Sequence, residues 1–402
     1  MTYQETLDWM FAQLPMYQKQ GKTAFKKDLT NTLALTKHLG NPERRFKSIH
    51  VGGTNGKGST SHMIASILQE AGYKVGLYTS PHLKNFTERI RINGEEISKD
   101  SVKDFILKNK PFLEEQGLSF FEMTVGMAFN EFAVQKVDIA VVEVGLGGRL
   151  DSTNIITPEV SVITNIGLDH TQFLGETLQE IAFEKAGIIK KNVPIVIGER
   201  QKETTPVFER KAKECSVELI FASDMKDKYD TDLLGDYQLH NSRSAVRAIN
   251  ELKDYHVSDE NIRKGLLNVV RNTNLKGRWQ ILQDLPKVIC DTAHNKEGLS
   301  YTLAQLKKEN FEKLHILLGV VSDKKLEDVL PMFPKEAVYY FCKPNIPRGL
   351  SERELKEKAK KYGLKGGSYS SVDDAYKSLK INLKENDVAY VGGSTFVVAE
   401  IL

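Results

Sequence analysis

Between Val51 and Thr60 the chain reads Val-Gly-Gly-Thr-Asn-Gly-Lys-Gly-Ser-Thr. An apolar, β-prone run (Phe46 to Val51) precedes it, and a helical pattern (Met63, Ile64, Ile67, Leu68) follows. Strand, glycine loop, lysine, hydroxyls and helix together make a cradle for nucleotide phosphates. Glycines let backbone N–H groups close on an anion, because no Cβ stands in the way. The loop is therefore a candidate nucleotide-phosphate site. Lys57 brings a mobile positive charge, and Ser59 or Thr60 can reach Mg²⁺. The spacing departs from a strict phosphate loop, since Val51 stands where the first glycine would fall and Gly58 separates Lys57 from Ser59. A plain Gly-rich turn would not need the lysine and paired hydroxyls, so the phosphate reading is preferred.

Other chemistry-bearing residues fall at the ends of apolar runs. Glu143 interrupts Ile139-Ala140-Val141-Val142-Glu143-Val144, where a carboxylate is costly unless it is paired or meets a cation. Beside a phosphate loop, a Mg²⁺ ligand is the better reading than a salt bridge. Ser80 follows the run Lys74 to Thr79, and Asp169 and His170 follow Val160 to Ile166. His170 is evenly balanced between a structural and a functional histidine, and imidazole is an unusual Mg²⁺ ligand. Lys185 lies on the apolar stripe Leu178, Ile181, Ala182 of a predicted helix. Spacing alone favours a lysine that snorkels to solvent; the sharper reading is one with a depressed pKa or a modification that carries negative charge. Later in the chain, Asp291 and His294 sit on a strand-to-helix turn just after Gly277-Arg278-Trp279. They could clasp ribose or a metal, or simply cap the next helix, and Arg278 could reach phosphate or be an ordinary linker charge.

These residues need a scaffold that gathers strand ends. Short apolar runs at Phe46–Val51, Lys74–Thr79, Asp138–Val144, Val160–Ile166 and Val193–Ile197 alternate with helical patterns. The alternation predicts a parallel sheet covered on both faces, with ligands beyond the carboxyl ends of its strands. The polar stretch Arg271-Asn272-Thr273-Asn274 suggests a boundary, after which a second α/β alternation begins at Lys287 and ends on strand Asp387–Val391 with Gly392-Gly393-Ser394. The expected domains are 1–274 and 275–402. A chain of 402 residues is long enough for two cores. With 27% charged residues and a net charge of +3, nothing calls for a nucleic-acid or membrane partner. The amphipathic, acid-bearing start, Met1 to Pro15, lacks a signal-peptide layout. Three cysteines without metal spacing suit a reducing cytoplasm.

Taken in order, His50 through Ser59, Tyr78-Thr79-Ser80-Pro81-His82, Glu88-Arg89-Ile90, Glu143 through Asn154, Gly167-Leu168-Asp169-His170 and Glu184 through Ile188 form a specific set. Gly235-Asp236-Tyr237-Gln238 with Asn241, Gly277-Arg278 and Asp291 through Asn295 continue it. The set resembles the Mur ligase superfamily, and within it the folylpolyglutamate synthase and dihydrofolate synthase family. Thr292, Lys296 and Lys276 depart from the family's frequent Gly, Pro and Pro, and the loop Cys342 to Arg348 matches only in part.

The resemblance implies an α/β protein, with an N-terminal phosphate-loop (P-loop-type) parallel-sheet ATPase domain and a smaller Rossmann-like C-terminal α/β domain. It implies that Thr54 to Thr60 hold ATP phosphates and that Ser80, Glu143 and His170 serve Mg²⁺. Lys185 would be carbamylated and carry a carboxylate to the metal centre. Asn241, Arg278 and Asp291 would contact ATP across the domain cleft, with His294 on the catalytic face. Arg89 and the segment Phe120 to Thr124, with Phe121 and Glu122, would lie near the pterin and its carboxylate, and Ser394 is a further candidate substrate residue. The implied reaction adds L-glutamate to a folate or dihydropteroate carboxylate through an acyl phosphate, in a monomeric cytoplasmic enzyme. A Mur-type ligase acting on another carboxylate is one alternative, disfavoured because only about 45 residues precede the first strand, too few for a separate domain. A nucleotide-dependent regulatory switch is the other.

Overall fold

The computed structural model describes residues 1–13, 28–322 and 324–402. They divide into two compact units, one of residues 1–232 and 239–274, the other of residues 233–238 and 275–402. The amphipathic start becomes the helix Tyr3–Ala12, capped by a reciprocal Thr2–Glu5 box. Residues 14 and 15 of that predicted segment lie outside the described residues.

In the first unit, strands β1 (Lys47–Gly52), β2 (Val75–Tyr78), β3 (Ile90–Ile92), β4 (Glu95–Glu96), β5 (Ile139–Glu143), β6 (Val160–Ile163), β7 (Ile195–Ile197) and β8 (Leu219–Phe221) form one sheet. Its order is β4-β3-β2-β5-β1-β6-β7-β8. The pairings from β2 to β8 are parallel, while β2–β3 and β3–β4 are antiparallel, so the sheet is mixed at one edge. Strands β5, β6 and β7 are buried at every position, as a sheet covered on both faces requires. β3, β4 and β8 were not expected: Arg91, Glu95 and Glu96 break any apolar pattern in β3 and β4, and the three-residue β8 is only partly buried. The apolar run predicts a strand through Ile166, but β6 stops at Ile163, where Thr164 and Asn165 hydrogen-bond to the glycine loop.

The helix Lys57–Glu70 that follows β1 is buried from Ser59 through Leu68. A second helix, Asp259–Leu267, closes over its outer side at Gly265, where a Cβ would stand 2.4 Å from Ile67 Cα. The Ser66 hydroxyl donates to the Gly265 carbonyl at 2.6 Å, which fixes this close approach. The polar stretch 271–274 is not an open connector: Val269–Thr273 is helical, and the Asn272 amide donates to Ser66 and Glu70.

The second unit has β9 (Gln280–Asp284), β10 (Lys287–Cys290), β11 (Leu314–Leu318), β12 (Val338–Cys342), β13 (Lys365–Tyr369) and β14 (Val388–Gly392). Their order is β13-β12-β11-β14-β10-β9, parallel except for β9 against β10. β9 and β13 carry few buried residues and so gave no apolar signal. One core cluster, with Ile316, Tyr339, Phe341 and Tyr390, lies in this unit.

Candidate active site

The sheet order explains how distant residues meet. β1 lies between β5 and β6, and β2 lies beyond β5. The carboxyl ends of β2, β1, β5 and β6 are therefore neighbours, and they carry Ser80, the glycine loop, Glu143 and the Thr164–His170 segment.

The loop itself is built on positive-φ glycines. Gly53 has φ +139° and Gly56 has φ +83°. A Cβ on Gly53 would fall 1.8 Å from Thr164 Oγ1, and one on Gly56 would fall 2.2 Å from Asn241 Oδ1. Glycine is thus required twice, for conformation and for room. The Thr54 N–H donates to the Asn165 carbonyl at 2.9 Å, and the Asn55 N–H to Asn165 Oδ1 at 2.9 Å. Thr164 Oγ1 donates to the Asn55 carbonyl at 2.6 Å. Thr164 and Asn165 were missed by sequence reasoning as loop supports; the signal was available, as two polar residues breaking an apolar run. Lys57 opens the helix, and its Nζ donates to the Thr54 carbonyl at 3.1 Å. Gly58 follows it, and Ser59 and Thr60 are buried in the first turn, where Thr60 Oγ1 has no hydrogen-bond partner. Asn241, on the helix Gln238–Asn250, is buried against Gly56.

Glu143 is buried, and its Oε2 accepts the Ser80 N–H at 3.0 Å. Lys185 is 5% exposed, so it does not snorkel. Its Nζ donates to the Gly53 carbonyl at 2.8 Å, which puts the amine directly beneath the glycine loop. Burial, then the nearby Lys57 charge, pulls its pKa down to about 7, against the opposing pull of Asp169 and Asp151. His170 is exposed, at φ +50°, just ahead of the short helix Thr171–Leu174. Among the described residues no three His, Cys, Asp or Glu side chains group as a metal cage. The donors at hand are instead hard oxygens beside a phosphate cradle, which fits a cation that keeps water and phosphate ligands. Two features of the fold fit nucleotide and cation together: the cradle that any Cβ would fill and the unpaired Thr60 hydroxyl.

Asp151 was not singled out by sequence as a site residue, yet it organises the loop after β5. Its carboxylate accepts the N–H groups of Leu146 and Thr153 at 2.9 and 3.0 Å, and burial pushes its pKa up. Phe121 packs over this loop: a Cβ on Gly145 would lie 2.3 Å from its Cζ. Glu122 is buried, with Oε2 accepting the Ser119 N–H at 2.7 Å in a capping box, so helix capping engages at least one of its oxygens. Arg89 is buried, its Nε donates to His82 Nδ1 at 2.7 Å, and its guanidinium lies 5.2 Å from the Phe120 ring centre. Burial, then the Arg89 charge, lowers the His82 pKa to about 3.

In the second unit Asp291 is buried and turned inward. Oδ2 accepts the Tyr237 hydroxyl at 2.6 Å and the Trp279 N–H at 2.7 Å, and Oδ1 accepts the Ala293 N–H at 2.7 Å. Three donors of the same unit hold this carboxylate, so it shapes the turns carrying Arg278 and His294. Tyr237, also missed, reaches it from the short segment 233–238. Arg278 donates to the Thr292 hydroxyl. His294 Nδ1 is 3.0 Å from the Thr292 carbonyl, which calls for a proton on Nδ1 and leaves the basic lone pair of the neutral ring on Nε2. Ser394 is buried at the N-cap of the helix Thr395–Ile401 and accepts the Val397 N–H at 3.2 Å.

Comparison with known proteins bears on this arrangement. Residues 51–262 match the Mur ligase middle domain, and residues 277–395 match the Mur ligase glutamate ligase domain. A Bacillus subtilis dihydrofolate synthase/folylpolyglutamate synthase is 33% identical, over 99% of this chain and 98% of its own length. This chain belongs to the folylpolyglutamate synthase/dihydrofolate synthase family. Another member, the folylpolyglutamate synthase of Lacticaseibacillus casei, is 33% identical over 88% of each chain. Solved structures of the family agree in fold. The E. coli member in complex with DHPP and ADP superposes with a TM-score of 0.86 at 29% identity, covering 98% of this chain and 96% of that one. The Yersinia pestis member with Mn, AMPPNP and L-glutamate bound gives 0.85 at 28% identity, covering 100% and 97%.

Proposed function

We propose that this chain is an ATP-dependent ligase that joins L-glutamate to the carboxylate of dihydropteroate or of a reduced folate, releasing ADP and phosphate. The observation that supports it best is one cluster: a glycine cradle with Lys57 at its mouth, the Glu143 carboxylate on the adjacent strand, and the buried Lys185 amine on the Gly53 carbonyl. The cradle and Lys57 hold the phosphates of ATP, with Asn241 fixing Gly56 in place. Mg²⁺ would be held by Ser80, Glu143, His170 and a carbamylated Lys185, screening the phosphates from the incoming carboxylate. A lysine pKa of about 7 supports this last point, because only the neutral amine adds to CO₂. The acceptor carboxylate attacks the γ-phosphorus and displaces ADP, giving an acyl phosphate. The glutamate amine then attacks the acyl carbon, and the C–O bond to phosphate breaks. Lys57 and Arg278 offset the negative charge that gathers in the first step. His294, with its basic lone pair on Nε2, takes the proton that the amine must lose. Asp291 positions the Arg278 and His294 turns, Ser394, which caps the helix Thr395–Ile401, is a further substrate contact, and Arg89 and Phe121 face the acceptor.

We assign residues 1–274 to ATP binding and 275–402 to the glutamate ligase part. The protein acts as a monomer in the cytoplasm, where its three unpaired cysteines stay reduced. The test is a product assay with ATP, Mg²⁺ and glutamate, supplying dihydropteroate and tetrahydrofolate separately. Amide formation with either acceptor supports the reading; ATP hydrolysis indifferent to glutamate would favour a nucleotide switch.

A further inference from the structure

We propose that His82 is a positioning residue that aims the Arg89 guanidinium at the acceptor's carboxylate while adding no countercharge of its own, an inference that rests on the ligase reading above.

Arg89 is 7% exposed, and among the described residues no carboxylate pairs with it. Such a charge is costly to bury and is kept where an anion is to arrive. Its nearest side-chain neighbours are the Phe120 ring at 5.2 Å, His82 Nδ1 at 2.7 Å and the Tyr78 hydroxyl, while the Glu143 and Glu88 carboxylates act on it through space without pairing. Because Nδ1 accepts the Nε–H, that nitrogen carries no proton and the imidazole is neutral. The ring is itself held edge-on against Phe86, centroid to centroid 6.2 Å, and Phe86 is held edge-on against Phe120 at 5.8 Å.

Backbone bonding fixes the same loop. Thr79 N–H donates to the Arg89 carbonyl at 3.0 Å, and the Glu88 carboxylate accepts the N–H groups of Leu83, Lys84 and Asn85. At the loop's start the Ser80 N–H is bound to Glu143. The segment from Ser80 to Arg89 is thus one stitched unit with His82 across its middle.

The chemical consequence concerns which edge of the guanidinium can act. An arginine binds a carboxylate in a fork, through Nε and one Nη or through both Nη atoms. With Nε committed to His82, the end-on fork of the two Nη atoms is the one presented. An aspartate or glutamate in place of His82 could hold Nε equally well, but it would neutralise the charge meant for the substrate. A neutral acceptor orients without competing.

This separates geometry from charge in one experiment. His82→Asn keeps a neutral acceptor near the Nδ1 position, His82→Asp is nearly the same shape with a negative charge, and His82→Leu has no acceptor. Steady-state kinetics of the full-length enzyme would be read as acceptor KM and kcat separately, with thermal midpoints as a check on folding. The expected result is an acceptor KM within about threefold of the parent for Asn, and at least about tenfold higher for Asp and for Leu, with the KM for ATP unchanged. Equal KM values for Asn and Asp in folded proteins would overturn the proposal, since a purely structural histidine would not distinguish them. Arg89→Ala supplies the control: if it leaves acceptor KM unchanged while glutamate ligation persists, the aiming proposal falls and the ligase reading stands. If the parent makes no amide with either acceptor, the ligase reading itself falls. Should His82→Leu fail to fold, the Asn and Asp pair still decides.

Discussion

Replacing Lys185 by methionine should make stability less dependent on pH in a way that measures how dry the amine is. The folded pKa, about 7, lies below the ordinary lysine value of 10.5. Between these values the unfolded chain holds the proton and the folded protein does not, so stability rises with pH through that window. At pH 6 both states are charged, and the buried ammonium opposes folding by roughly 4–5 kcal/mol; by pH 9.5 the penalty has fallen to about 1–2 kcal/mol. Lys185→Met removes that penalty and also removes the donor to the Gly53 carbonyl, a loss of about 1–3 kcal/mol that does not vary with pH. The difference in unfolding free energy between variant and parent should therefore shift against the variant by about 3 kcal/mol from pH 6 to pH 9.5. Urea unfolding in CO₂-depleted buffer without nucleotide reads this directly, and the pH-independent loss cancels. Parallel stability curves for the two proteins would mean that the amine is solvated in the folded state, and the argument for its modification would lose its basis.

Three further outcomes are expected. Lys57→Ala should lower kcat/KM at least about a hundredfold with an unchanged thermal midpoint, because the lysine meets charge that develops in the transition state; near-parental turnover would remove the phosphate-loop reading. Gly56→Ala adds a Cβ 2.2 Å from Asn241 Oδ1 at a φ of +83°, so ATP affinity measured by calorimetry should fall at least about tenfold, with a backbone cost of about 1–2 kcal/mol. Asp291→Ala leaves the Tyr237 hydroxyl and the Trp279 and Ala293 N–H groups unpaired, and should destabilise the second unit by about 3 kcal/mol or more in thermal unfolding; a smaller loss than about 1 kcal/mol would contradict its positioning role.

The parts of the site that the sequence revealed are those whose physics is local. A glycine loop needs its glycines, and Glu143 announced itself by standing in an apolar strand. Strand ends were readable because buried parallel strands are nearly uniform apolar runs, which is why β1, β2, β5 and β6 were found and the two-residue β4 was not. What sequence could not give was direction. Lys185 on an apolar stripe reads as snorkelling until its amine is seen on the Gly53 carbonyl. Nor does sequence show that Asp291 meets three internal donors or that Glu122 sits in a capping box. Tyr237 was out of reach, because its partner lies 54 residues away.

The most direct test of the account follows an oxygen atom. With both carboxylate oxygens of the acceptor labelled with ¹⁸O, attack on ATP makes one of them the bridge of the acyl phosphate, and cleavage of the C–O bond sends it out with phosphate. Mass spectrometry of the released phosphate should find one ¹⁸O per phosphate, in amounts equal to the amide formed and only when glutamate is present. Unlabelled phosphate, or phosphate released at the same rate without glutamate, would contradict the acyl-phosphate ligase.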